Sequence, residues 1–387
     1  MIRIIGVGTA TQAGNQPFAA LAALATNRVG ARPEADKRAP AVRGGENVPI
    51  LVARAGTEDV YGPDWEELLL PSPYDSPPPL ADDHIVREFY LADTPQERMM
   101  RLAHFALKPL LASLPDSALT ESTLVYLLVP PPDVTRSRGV DWEHVIERLR
   151  VSNRRLAPCQ FRCVPLQESA ADELNSVQAE LAAGHWHTVL FGGVDSLVDA
   201  RTLWELALQE GRAATEGSGQ GVVAGEAAAF IALSGADADD GATHSYLAAV
   251  ASEPEPNVGQ ADERIMSGLY NAARRALEQA GWVPQRVDQV SVNLQAEVVD
   301  ELEWHQVSRR LWRVADGLRA PPLQRPAAVF GDVGVAALPL QLALADAEIH
   351  YHNEWQQFGA YATPTAILIC EASDKPVRGA VCLQAIS

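Results

Sequence analysis

Several things are scarce in this sequence, and each scarcity narrows what the chain does. Among its 387 residues, the four cysteines Cys159, Cys163, Cys370 and Cys382 are too few to staple a chain of this length. The Cys-x3-Cys spacing of the first pair, with no second pair near it, is poor for zinc. They read as reduced thiols packed as small hydrophobes in a cytoplasmic protein. Basic charge is also short, with 31 Lys and Arg against 50 Asp and Glu and a net charge of −19. Phosphate backbones and anionic lipids are held by clustered Lys and Arg, so neither nucleic acid nor a membrane surface is expected as a partner. No apolar run is long: the richest, from Gly334 to Ala345, contains Pro339 and Gln341. It falls short of the ~20 residues that cross a bilayer. The opening MIRIIGVGTATQAG has one basic residue and a glycine-broken apolar run, unlike a signal peptide. No Gly-x-Gly-x-x-Gly, P-loop or Gly-x-Ser-x-Gly elbow occurs, so no cofactor is expected. Gly217, Gly219 and Gly221 read as a loop that positions a strand.

What is present is a folded α/β chain, 47% hydrophobic, long enough for a large core. Ile2 to Val7 reads as a buried strand. From Ala31 to Asp83 the pattern dissolves into prolines, glycines and charges, which predicts an irregular insertion. Thr94 is placed to cap a helix carrying Met99, Leu102, Phe105 and Leu110 at helical spacing. Leu124 to Val129 reads as a strand stopped by three prolines. Phe161 to Leu166, a helix capped by Ser169 and running to about Ala183, and a strand from Thr188 to Gly193 form a parallel crossover. Ala227 to Leu233 and Ser245 to Ala251 predict an antiparallel hairpin. The C-terminal part repeats this grammar: helices over 265–280 and 301–314, a strand over 289–294, a strand at Ala327 to Phe330, a helix through Pro339, and a closing hairpin over 365–370 and 380–386. Two such successions suggest a duplicated architecture. The predicted halves are residues 1–252, carrying the insertion, and 253–387, together one compact unit.

These residues resemble the β-ketoacyl synthases of the thiolase-like superfamily. VLFGGVDSL at Val189 to Leu197 and GQGVVAGEAAAFIALSG at Gly219 to Gly235 resemble the family's double-glycine strand and the Gly-Glu-Gly segment after it. The opening strand and loop, the helix from Arg98 to Leu111, Ala276 to Trp304, and VFGDVGVAALPLQLALA match further segments in order. The resemblance implies a thiolase-like five-layer αβαβα fold of two similar halves. It also implies a homodimer or heterodimer through the strand Val189 to Gly193. Gly192, Gly193, Gly225, Gly331 and Gly334 are its backbone framework, and Glu226 is read as a structural hydrogen-bonding acid.

The family condenses acyl thioesters with a cysteine at the start of a buried helix and two histidines that stabilise oxyanions. At those positions this chain has Gln167, Gln295 and Asp332. Glutamine is not acylated in this way, and an aspartate opposes an oxyanion. A degenerate member without the Cys-His-His set is therefore expected, with no catalytic residue carried over. Cys163 is the nearest thiol and reads as inert. Glu168, Glu297 and Asp332 read as a solvated remnant of the pocket, the alternative being a carboxylate cluster with new chemistry. His185-x-His187 and His350-x-His352 read as surface histidines rather than metal pairs. The expected role is a binding, scaffold or accessory protein with a protein partner. What the resemblance implies is either a noncatalytic partner of an active synthase or an adaptor linked to bacterial type VI secretion effectors. The rival is an acyl-thioester hydrolase, decarboxylase or acyltransferase with a re-equipped pocket. A third reading keeps an acyl-thioester ligand without chemistry.

Overall fold

The computed structural model describes residues 2–27, 31–39, 48–55, 94–209, 211–217, 220–235, 244–256, 266–295, 297–313, 317–350, 364–373 and 375–386. The first run of elements is β1 (Ile2–Ala10), α1 (Pro17–Ala25), β2 (Arg32–Ala39), β3 (Val48–Ala53), α2 (Pro95–Ser113), β4 (Thr123–Val129), α3 (Trp142–Ser152), β5 (Gln160–Pro165), α4 (Ala170–Ala182), β6 (Thr188–Ser196), α5 (Ala200–Trp204) and β7 (Ala224–Gly235). The second run is β8 (His244–Pro254), α6 (Gly268–Gln279), β9 (Gln289–Val292), α7 (Val298–Leu311), β10 (Leu323–Gln324), α8 (Pro326–Phe330), α9 (Ala337–His350), β11 (Ala366–Glu371) and β12 (Val377–Ile386). Short polar side chains start the helices where expected. Thr94 accepts from the Glu97 amide at 3.2 Å, Glu97 answers in a full capping box, and Pro95 presets the first turn.

The strands run β5-β4-β6-β7-β1-β8-β12-β11-β9-β10. Within β1, β4, β5, β6, β7 the spatial order is third, second, fourth, fifth, first, and β8 to β12 repeat that order. The duplication that the sequence only suggested is thus explicit in the topology. The halves join where β1 and β8 pair antiparallel, Ile2 opposite Leu247 and Ile4 opposite Ser245.

Alternating side chains show the layers. On β4, Val125, Leu127 and Val129 pack with α2, while Leu124, Tyr126 and Leu128 pack with α4 and α9. On β11, Ile367 and Ile369 face that same central helix layer, and Ala366, Leu368 and Cys370 pack with α6 and α7. Five layers, αβαβα, result. Both faces of these strands are covered, so they read as continuous apolar runs. Cys159, Cys370 and Cys382 are buried packing residues.

α9 is buried along Ala337–Ile349. Pro339 sits in its first turn, where the missing N–H costs no helix bond. Glu348 accepts from the carboxamides of Gln289 and Gln324 at 2.5 and 2.8 Å, and burial lifts its carboxyl above the usual carboxylate range. The folded state therefore holds this proton more tightly than the unfolded chain, so its contribution to stability falls as pH rises from about 4.3 through the folded pKa. Glu348→Gln is expected to remove that loss and to leave the variant at least as stable as the parent at pH 7. Urea midpoints across pH 4–8 that fall in parallel for both proteins would contradict this.

Four expectations need correction. The segment from Ala31 is not wholly irregular: β2 and β3 form an antiparallel hairpin, and β3 pairs parallel with β7 through Val52–Ala224 and Ala53–Gly225. The apolar run VPILVA supplies the cause, burying Ile50 and Val52 against Leu197, Val198 and Leu203. Residues 56–83 of that segment lie outside the described residues. β7 and β8 are not a hairpin, because β1 lies between them. Ala327 to Phe330 is the helix α8, started by Pro326. Finally, β6 is an interior strand: β4 and β7 take its two edges and all nine residues are buried, so Val189 to Gly193 offers no strand edge to a partner. Among the described residues, the sheet edge of this half is β5.

Candidate functional site

A cleft of about 430 Å³ opens where the first turn after β4, the end of β6, the loops after β9 and before α9, and the β11–β12 turn converge. Its framework begins at the end of β6. The Asp195 carboxylate is fully buried and accepts from Arg136 Nε and Nη2 at 2.6 and 2.9 Å, from the Ser196 amide at 2.9 Å and from the Val335 amide at 3.1 Å. Gly334 holds φ +53°, and a Cβ there would lie 1.9 Å from Asp195 Oδ2. Only glycine fits.

The loop carrying Asp332 crosses β7 at close quarters. A Cβ on Gly225 would lie 2.2 Å from the Phe330 carbonyl oxygen, which explains the glycine. The crossing is fixed by Gly225 N–H donating to the Asp332 carbonyl at 2.8 Å and Asp332 N–H donating to the Val223 carbonyl at 2.7 Å. Asp332 also turns Oδ1 onto the Gly334 amide at 2.9 Å. Beside this crossing lies the Glu226 carboxylate, which is buried. It accepts from the Ala55 amide at 2.7 Å, Ser196 Oγ at 2.8 Å and Arg98 Nη1 at 3.2 Å, and so ties the β3 segment, α2 and β6 together.

The start of α4 is the most telling part. The Glu371 carboxylate, from the end of β11, accepts from Ser169 Oγ at 2.6 Å, the Ala170 amide at 2.9 Å and the Ala171 amide at 3.1 Å. Burial pushes its carboxyl above the usual range, against the pull of those three donors. The N-terminal amides and positive dipole end of α4 are thus taken by an acid of the chain itself.

Gln295 and Asp332 line the cleft; Gln167 and Glu168 are exposed, and Leu166 takes the place on the wall that was expected for Gln167. The three substituted positions therefore do not converge. Glu297 pairs with Arg212, whose Nε donates to Oε1 at 2.9 Å, and of Glu168, Glu297 and Asp332 only Asp332 is in the cleft lining. Cys163 is half-buried on β5, and burial pushes its thiol up to about 12, which keeps it protonated. His185 and His187 are exposed in the loop before β6, and His352 lies outside the described residues. Among the described residues no cysteine or histidine lines the cleft, and no group of three His, Cys, Asp or Glu is placed to hold a metal. No helix of the described residues is long and apolar enough to cross a membrane.

Sequence reasoning missed Arg136, Asn293, Glu371 and Lys375, all on the cleft wall. An acid closing the apolar run AILICE was the one available signal, since a charge at a buried strand end needs partners.

No family model matches the sequence, and no curated protein matches it. Solved structures do resemble the fold. The ishigamide ketosynthase/chain length factor superposes with TM-score 0.66 at 17% identity, over 100% of this chain and 99% of that one. A type II ketosynthase described in complex with its acyl-carrier protein gives TM-score 0.70 at 12% identity over 100% and 99%. A ketosynthase in complex with its chain length factor from Xenorhabdus doucetiae gives 0.64 at 14% identity over 100% and 98%. At such identities the likeness speaks for the fold.

Proposed function

The chain has the thiolase-like fold of the β-ketoacyl synthases, and from that premise we propose that it acts as a noncatalytic, partner-binding protein beside an active synthase. The observation that carries this reading is the occupied start of α4. A nucleophilic thiolate at a helix start draws on N-terminal amides and dipole. Here Glu371 has consumed both, and a second anion beside its carboxylate is disfavoured whenever that carboxyl is ionised. Decarboxylation fares no better, because the carbanion left by loss of CO2 needs donors that Gln295 and Asp332 do not replace as a pair.

Protein contact is supported by β5, paired on one side with β4 and half-buried along Phe161 to Val164. A strand edge of this kind accepts a second strand, from another copy or from a homologous subunit. Three of the similar structures are named for ketosynthases with a chain length factor or a carrier protein, which favours the synthase-partner role over an adaptor for type VI effectors.

Incubation with acetyl and malonyl thioesters is expected to release no CO2 and to form no carbon–carbon bond. Gln167→Cys is expected to stay unacylated, since that residue is exposed outside the cleft. Turnover that falls in Asp332→Ala or Glu297→Ala would overturn the proposal in favour of the enzyme. Light scattering is expected to give a dimer mass, and a monomer at all concentrations that also ignores a coexpressed synthase would remove its partner-binding half.

A further inference from the structure

Lysine is rare in this chain. Of 31 Lys and Arg residues three are lysines, Lys37, Lys108 and Lys375. Lys375 alone among them lines the cleft, on the turn between β11 and β12. That turn is held from several directions. The Asn293 carboxamide donates to the Ala372 carbonyl at 2.7 Å and accepts from the Ala372 amide at 2.8 Å. The Lys375 amide donates to Ser373 Oγ at 3.3 Å, and the Lys375 carbonyl accepts from Arg378 Nη1 at 2.6 Å. Arg378 is itself fixed by Glu303 through Nε and Nη2 at 2.9 and 3.2 Å.

From this turn Nζ reaches the carbonyl oxygen of Leu166, next to Gln167 at the entry to α4, and among the described residues it joins no ion pair. Burial draws its pKa below the ordinary lysine value. Glu371, Asp195 and Asp133 pull the other way without restoring it, and Arg136 adds to the depression. The amine is thus tethered and partly buried, in a cleft whose lining combines the apolar Leu166, Leu197 and Val335 with the charged Arg136, Asp332 and Glu371.

We propose that Lys375 is a nucleophilic amine that captures a short apolar aldehyde or ketone in the cleft as a Schiff base. The nitrogen lone pair adds to the carbonyl carbon, the carbonyl π pair moves to oxygen, and the oxygen gains the proton that nitrogen loses, giving a carbinolamine. A proton from solvent then adds to its hydroxyl and leaves with it as water while the nitrogen lone pair forms C=N, giving an iminium that keeps the remaining N–H and a positive charge. No oxidant, thiolate or imidazole is required. The iminium keeps the positive charge that Glu371 and Asp195 already face. This inference does not depend on the partner-binding role, which stands if the amine proves unreactive.

The test uses the full chain with butanal and sodium cyanoborohydride at pH 7, followed by peptide mapping that scores the three lysines and the terminal amine separately. Lys375 is expected to be alkylated on the order of tenfold faster than Lys37 or Lys108, with its rate rising at lower pH than theirs. Lys375→Arg is expected to remove the fast phase and leave the slow one. Equal labelling of the three lysines, absence of label at Lys375, or a fast phase that survives in Lys375→Arg would overturn the proposal. If the variant does not fold, the parent's peptide map and pH profile decide by themselves.

Discussion

Glu226→Ala is expected to cost about 3–5 kcal/mol of folding stability, the range found when one partner of a buried ion pair is removed. The carboxylate has a fully buried side chain and three classes of donor. Its loss takes the carboxylate partner from the Arg98 guanidinium, whose pKa burial already lowers, and leaves the Ala55 amide and the Ser196 hydroxyl without this acceptor. Glu226→Gln keeps an acceptor for the amide and the hydroxyl but not the charge, so an intermediate loss is expected. The damage should extend beyond global stability, because Ala55 N–H anchors the end of the β3 segment to β7 and β6. Limited proteolysis is expected to cut near residues 48–55 in Glu226→Ala before any other described region opens. A variant with unchanged urea midpoint would show that Arg98 finds other partners at little cost.

A loss of similar size, about 3–5 kcal/mol, is expected for Glu303→Ala. Arg378 and Glu303 both have side chains with no exposure, one on β12 and the other on α7. Removing the acid leaves a buried guanidinium charge without its carboxylate partner, although it still donates to the Lys375 carbonyl. The double variant Arg378→Met with Glu303→Leu is expected to recover most of the loss, since buried pairs exchanged for apolar groups of similar size are often neutral in stability. Equilibrium denaturation of the two single variants and the double one measures this directly. If the double variant is as unstable as Glu303→Ala, the packing of the β11–β12 turn rather than the charge is at issue. The same turn presents Lys375, so Glu303→Ala is also expected to blunt selective alkylation there, through looser placement of the backbone that carries the amine.

Much of the fold was legible because local and tertiary preferences agree. Thr94, Pro95 and Glu97 start α2 by backbone chemistry that needs nothing outside the helix. The runs LVYLLV and VLFGG are strands in any context that buries both faces. Gln295 and Asp332, singled out as residue types standing at positions of a resemblance, both lie on the cleft wall, and among the described residues no cysteine or histidine joins them there. The closing hairpin over β11 and β12 pairs as expected, but two inferences that required knowing distant neighbours failed. The β7–β8 hairpin looked sound from proximity in sequence, yet β1, over 200 residues earlier, inserts between them. The dimer strand looked sound from its motif, yet an edge is a property of a sheet and β6 has none.

The sequence by itself determined the α/β class, most elements and where bare glycine backbone stands. Each of these depends on residue type within a few neighbours, or on a bare backbone where another chain segment must pass. Only the tertiary structure decided that Gln167 is exposed and outside the cleft lining, that Glu371 caps α4, and that Lys375 shares the cleft with Arg136 and Glu371. Those facts join residues more than 200 positions apart across a five-layer core. Burial makes a capped helix start of one and a depressed lysine pKa of another, because the free energy of a charge is set by what surrounds it.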